Sequence, residues 1–209
     1  MPYRKQQSPY QFDLSGGALC LDFANTVSRR HLPERRAEHL ESYGDLVAFA
    51  QQSDLLPAGL ARRLRGQAKL KPREAQSVFG KAIALRETLF RAFSAIAAGK
   101  PVPPEELQGI NHSALEALRH RRLVRTNGDY RWEWGWDSAS VLLRILWPIA
   151  ESAANLLVSP DRAAVHECGA SDCEWLFLDK SRNRSRRWCE MKSCGNRQKA
   201  RRHYQRMHT

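Results

Sequence analysis

The sequence predicts a mainly α protein: a helical N-terminal domain with one β-hairpin, then a small C-terminal module framed by four cysteines and ending in a basic helix. Three observations carry this. Apolar residues between positions 72 and 98 recur every three, four or seven places, the period of one helix face. An Asn-Gly step at 127–128 lies between two short β-forming runs. Four of the five cysteines fall within 27 residues near the C-terminus. With 209 residues and 42% hydrophobic content, the chain can bury one domain core and carry a small appendage.

Taken in order, residues 1–15 are polar and show no apolar signal-peptide core. Residues 19–27, LCLDFANTV, form an apolar run after Gly16-Gly17. That run suits a short buried helix, although a strand would also fit its length. Residues 29–38 are charged, contain Pro33 and suit a loop. Ser42 with Asp45 three residues on resembles a capping box, opening a helix to about Gln52. Pro57 suits the first turn of the next helix, which would end near Gly66.

Pro72 opens the strongest helix and Gly99 stops it, with Phe79, Ile83, Phe90, Phe93 and Ala97 on one face. Pro101, Pro103 and Pro104 make a stiff connector. Glu105 and Glu106 suit the first turn of a helix lasting to about Arg119. In the hairpin, Tyr130, Trp132 and Trp134 alternate and so share a face. Together with Trp136 and Trp147 they are expected to pack the hairpin onto helices, base stacking being the alternative. Asp137 or Ser138 can cap a helix from 139 to about 158, kinked at Pro148. Residues 141–158 are the most apolar long stretch, but Arg144, Glu151 and Asn155 make them a buried helix rather than a membrane span. The break at residues 159–161 divides a helical domain, 1–160, from the cysteine module, 161–209.

Charge is unevenly distributed. The chain carries 34 Lys and Arg against 22 Asp and Glu, a formal +12, which favours a polyanionic partner. Residues 168–209 hold 11 of those cations against 4 acids, so about a fifth of the chain supplies +7 of the excess. A cytoplasmic location follows from the lack of targeting segments, and there thiols stay reduced, which favours metal binding over disulfides.

The cysteines are spaced Cys168-x4-Cys173, fifteen residues, Cys189-x4-Cys194. Two close pairs joined by a moderate loop suit tetrahedral zinc, each pair supplying two thiolates from one side. Two disulfides, or four thiols in a core, are the competing readings. A module this small buries little apolar area, so structural zinc would supply most of its folding free energy, on the order of 10 kcal/mol. His166 and His203 could substitute as ligands, but four cysteines make them unnecessary. Trp175, Leu176 and Phe177 are expected to form the finger's own core. Lys180, Arg182, Arg184, Arg186 and Arg187 then fall in a polar loop. After Cys194 a helix that Asn196 could cap, or that Cys194 itself could open, places Arg197, Arg201 and Tyr204 on one face and Lys199, Arg202 and Arg206 on the next. Such arginines can grip phosphates or guanine edges. A merely solvated basic face is the plain alternative.

At these residues the chain resembles a known bacterial family, the CGNR zinc-finger proteins, named for the tetrapeptide Cys194-Gly195-Asn196-Arg197. The wider pattern matches too: C-x4-C-x-W-x-F-x-D-x-S-x-N-x-S-R-R-W-C-x-M-x-x-C-G-N-R-x-K-A-R-R-H-Y. In that family the finger follows a helical ABATE domain, and LCLDFANTV is similar to that domain's opening motif. The resemblance implies a stress-induced transcription regulator whose finger binds DNA.

Asp22 and Asn25 stand out inside the apolar opening motif. They could line a ligand pocket of a sensory domain, or satisfy buried backbone groups or a neighbouring arginine. No phosphate loop, Ser-His-Asp set or HExxH is present, and no active site can be assembled, so the chain is not expected to be an enzyme. The expected partner is nucleic acid, most simply duplex DNA, with structured RNA or an acidic protein as alternatives. The helical domain would sense a small-molecule effector or form a homodimer.

Overall fold

A computed structural model of the chain describes residues 10–135 and 141–207. Seven helices and three two-stranded antiparallel ribbons make up the described residues. Helix α1, Leu19–Ala24, is the short buried helix expected from LCLDFANTV; Cys20, Leu21, Phe23 and Ala24 are sealed from water. The charged segment after it is not all loop. Strand β1, Val27–Ser28, pairs with β2, Ala37–Glu38.

The Ser42 cap opens α2, Tyr43–Gln52, by accepting the Asp45 N–H at 3.2 Å. The Asp45 carboxylate in turn accepts from the Ser42 hydroxyl and the Glu41 N–H, one residue earlier than an ideal capping box. Helix α3, Ala58–Leu70, starts after Pro57 and runs through Gly66, which lies on its exposed side with nothing around it. The stop is Lys71, which leaves the helical conformation (φ −127°, ψ 63°) because Pro72 behind it disfavours that conformation.

Helix α4, Pro72–Ala97, is the spine of the domain. Its most buried stripe is Ala75, Val78, Ala82, Leu85, Leu89, Ala92 and Phe93, so the face is rotated from the expected one: Phe79, Ile83, Phe90 and Ala97 flank it, half-buried. Ala75, Ala82 and Ala92 let neighbouring helices approach, and Phe93 of the expected face is fully buried among them. The same face buries Arg86, whose guanidinium reaches Glu38 at 2.5 and 2.8 Å and Glu87 at 2.9 Å, fastening β2 to the spine.

Helix α5, Pro104–Leu118, packs against α4 and buries Glu106 in a pair with Arg91. Strands β3, Arg121–Thr126, and β4, Asp129–Trp134, form the expected hairpin, with Asn127 and Gly128 both at positive φ (52° and 93°). Among the described residues its root packs, Trp134 tilting against buried Trp147 at 5.8 Å, while Tyr130 and Trp132 stand 68% and 58% exposed. The next helix starts later than expected. A 3-10 turn, Leu143–Ile145, leads into α6, Leu146–Val158, so Pro148 sits in the first turn, where it needs no kink. The caps expected at Asp137 or Ser138, and Trp136, lie outside the described residues.

Another 3-10 turn, Pro160–Ala164, is capped by Ser159. It leads to β5, Val165–Glu167, paired with β6, Leu176–Leu178. Helix α7, Asn196–Met207, ends the described chain. The main core joins α1, α2, α4 and α6, and Val165, Leu176 and Leu178 of the cysteine module enter it. No described helix is long and apolar enough to cross a membrane.

Candidate metal centre and nucleic-acid interface

The two cysteine pairs are brought together by backbone contacts across the module. Cys168 donates its N–H to the Trp175 carbonyl, closing the first knuckle, and Gly169 donates to the Arg187 carbonyl of the loop that returns the second pair. The second pair brackets a wide π-turn, Met191–Gly195, that runs directly into α7. Cys194 is therefore in the approach to the helix. Asn196 is already helical and does not cap it; its amide donates to the Lys192 carbonyl. Gly195 packs closely under the Met191 side chain and the Trp188 ring, so a Cβ there would make the Met191 thioether swing aside.

All four cysteine sulfurs lie within 4.8 Å of one another and all four residues are buried. Cys173 and Cys189 are 3.8 Å apart, Cys189 and Cys194 3.5 Å. Tetrahedral zinc with Zn–S bonds of about 2.3 Å puts its sulfurs about 3.8 Å apart. A disulfide needs about 2.05 Å, so the sulfurs are placed for a metal and not for bridges. Thiol contacts from Cys173 and its neighbours hold Cys168 well below the usual range, while those from Cys168 and the others push Cys189 well above it. Four thiols this close cannot all ionise without a central cation. The site is a structural zinc site: with four protein ligands no position is left open, and zinc supplies cross-linking rather than chemistry. His166 is not among the grouped ligands and tilts against Phe177 instead.

The finger's arginines divide sharply. Arg197 donates to the Cys194 sulfur at 3.1 Å and pairs with Asp172 at 3.1 Å. Arg201 pairs with the same carboxylate at 2.9 Å and donates to the Ser171 hydroxyl. Asp172 is buried, next to a zinc ligand, and so ties α7 to the first knuckle while Arg197 offsets the negative charge of the thiolates. Arg186 also turns inward. It donates to the Trp188, Cys189 and Ser15 carbonyls and lies 4.6 Å over the Phe177 ring, and its N–H caps buried Asp179. These three cations, expected to face nucleic acid, are committed to the finger's own frame. Lys180, Arg182, Arg184, Arg187, Lys199, Arg202 and Arg206 are exposed and form no ion pair within the described residues.

The expected finger core is also divided. Along β6 successive side chains face opposite ways, so Leu176 and Leu178 enter the helical core while Phe177 meets the cysteines, as expected, with Trp188 in the same cluster and Trp175 packed against it. Asn25 explains the attachment. Its amide donates to the Leu176 carbonyl and accepts the Leu176 N–H, both at 2.8 Å, so it pairs with β6 as a neighbouring strand would. Trp175 donates its indole N–H to the Val27 carbonyl, and the Leu178 N–H is taken by the Gly16 carbonyl. Asp22 accepts the Gly16 N–H at 2.7 Å, holding that turn in place. Asp22 and Asn25 therefore do not form a shared ligand pocket: Asn25 is 3% exposed with both amide groups used. Burial pushes the Asp22 carboxyl up to about 7, with the Gly16 bond opposing. A signal for Asn25 was present, a polar residue inside an apolar motif, but its partner lies 151 residues away.

No curated protein matches the chain. Residues 165–207 match the CGNR zinc finger, the region whose four cysteines converge. Residues 17–160, more than half of the chain, match the ABATE family model, described as "Putative stress-induced transcription regulator". The chain thus belongs to the ABATE family and carries a CGNR zinc finger at its C-terminal end.

Proposed function

We propose that this protein is a DNA-binding transcription regulator, not an enzyme, and that its finger docks on duplex DNA through the exposed cations of the 180–187 loop and α7. The observation behind this reading is the division of these basic residues: three build the frame, and seven are exposed with no ion pair among the described residues, Arg187 lying over the Trp188 ring. A solvated face with no partner would not need the metal-held scaffold that aligns these cations. Each phosphate contact contributes about 0.9 to the slope of log affinity against log salt, so seven contacts give a slope of about −6. Fluorescence anisotropy of zinc-loaded protein with genomic DNA fragments, titrated with salt, is the test. Lys199→Glu with Arg202→Glu should lower the slope by about 2. Absence of salt-sensitive binding overturns the proposal, and preference for folded RNA in direct competition reassigns it to RNA.

The sensing role of the helical domain is best supported away from Asp22 and Asn25. A cavity of about 280 Å³ lies between α4, α5 and α6, walled by Leu85, Leu146 and Trp147 with Lys81, Thr88 and His112 at hand. Mostly apolar cavities with a few polar groups suit small organic effectors. A thermal-shift screen against wild type and Ala84→Phe, which fills the cavity, checks this: a true effector raises the Tm of the wild type alone.

A further inference from the structure

We propose that the β3–β4 hairpin carries a second nucleic-acid surface, one that stacks unpaired bases. Its register pairs Arg121 with Trp134, Leu123 with Trp132 and Arg125 with Tyr130, which puts those six residues on one face. The acids Asp129 and Glu133 fall on the other face, opposite Thr126 and Arg122. The root of the ribbon is fastened. Trp134 meets Trp147, and Arg121 pairs with Glu151 at 2.9 Å while lying 4.7 Å from the Trp134 ring. Beyond the root, Leu123, Tyr130 and Trp132 are 58%, 68% and 58% exposed, Trp132 with the Arg121 guanidinium 5.7 Å from its ring, and Arg125 is exposed without an ion-pair partner among the described residues.

Charge and ring chemistry together select the occupant. Residues 119–134 hold five arginines against one aspartate and one glutamate, in a chain of formal charge +12. The rings of Tyr130, Trp132 and Trp134 follow one another along β4, with Arg125 and Arg121 opposite the outer two on β3, and rings beside cations match the two parts of a nucleotide, a flat base and a phosphate. Same-face residues along a strand are about 7 Å apart. That is about twice the 3.4 Å spacing of bases in a duplex strand, so the rings suit an extended single strand rather than a stacked duplex. A second copy of the chain laid on this face would instead bring Arg125 towards cations of the same kind. The inference does not rest on the finger's binding of duplex DNA.

The test uses the zinc-loaded full chain and two probes, a labelled 20-nucleotide thymidine oligomer and a labelled 20-base-pair duplex, followed by anisotropy. Tyr130→Ala with Trp132→Ala should weaken oligothymidine binding by about tenfold per ring, roughly a hundredfold in all. Tyr130→Phe with Trp132→Phe keeps the rings and should stay within about threefold of wild type. Arg125→Glu should weaken it by about tenfold. Duplex affinity should change by less than about threefold in these variants, whereas Lys199→Glu with Arg202→Glu should do the reverse. Failure of the finger alone therefore reads as lost duplex binding with hairpin-dependent oligothymidine binding intact. No oligothymidine binding by wild type, or binding indifferent to loss of both rings, overturns the proposal. So does sedimentation showing that loss of the rings turns a dimer into a monomer.

Discussion

The helical domain and the finger hold their shapes by different means. In the helical domain Phe23, Phe49, Leu89, Phe93 and Ile149 are each sealed from water, and burial of that kind contributes about 1.5–3 kcal/mol per side chain. The finger's own cluster has Phe177, Trp188 and four cysteines as its main members, far too few for an independent core. It is held instead by metal on one side of β6 and by the helical core on the other. Leu176 and Leu178 belong to one cluster and Phe177 between them to the other. The finger is thus continuous with the domain before it, and the metal helps to close a core it does not touch.

Removing the metal should have the largest effect. Chelation, or Cys189→Ser, withdraws on the order of 10 kcal/mol from the finger, and because β6 lines the main core the Tm of the whole chain should fall. Calorimetry showing a helical-domain transition unmoved by chelator would break the proposed continuity. Asn25→Ala comes next. It strands the buried N–H and carbonyl of Leu176 and should cost about 3 kcal/mol in urea unfolding, although Asn25 is remote from zinc in sequence. Asp172→Ala releases Arg197 and Arg201 and should lower zinc affinity by about tenfold, measured by competition with a chromophoric chelator.

A smaller effect is expected from pH. Folding raises the Asp22 carboxyl from 3.8 to about 7, so its contribution is full below about pH 4 and is lost as pH rises through about 7. Asp22→Asn removes that titration and should gain stability over wild type across that window, with a constant difference above it. Smallest of all, Lys199→Glu with Arg202→Glu should alter stability by less than about 0.5 kcal/mol, since both residues are exposed and neither has an ion pair among the described residues. A large loss of stability there would place those cations in the frame rather than on the interface.

Features that depend on near neighbours were legible before any fold was known. Ser42 and Asp45 cap a helix from three residues apart, Asn127-Gly128 turns a hairpin on its own φ preferences, and the four cysteines declare a metal site by their spacing. Where local preference met tertiary contact, the expectation failed. Gly66 should end α3, but the helix continues across it until Pro72 forces Lys71 out of the helical conformation. The buried stripe of α4 mixes alanines with Val78, Leu85, Leu89 and Phe93, and of the expected face only Phe93 lies fully within it. The helical period places Arg197 and Arg201 on one side of α7, yet only the position of Asp172 shows that this side faces inward.

By itself the sequence determined the fold class, the zinc ligands, the hairpin turn and the concentration of positive charge, because each depends on residue type at short spacing. Tertiary structure alone decided which arginines remain open to a partner, that Asn25 joins the finger to α1 instead of holding a ligand, and that the hairpin rings stay in water. Those outcomes depend on which distant groups meet, and a buried hydrogen bond across 151 residues leaves no periodic trace in the chain that forms it.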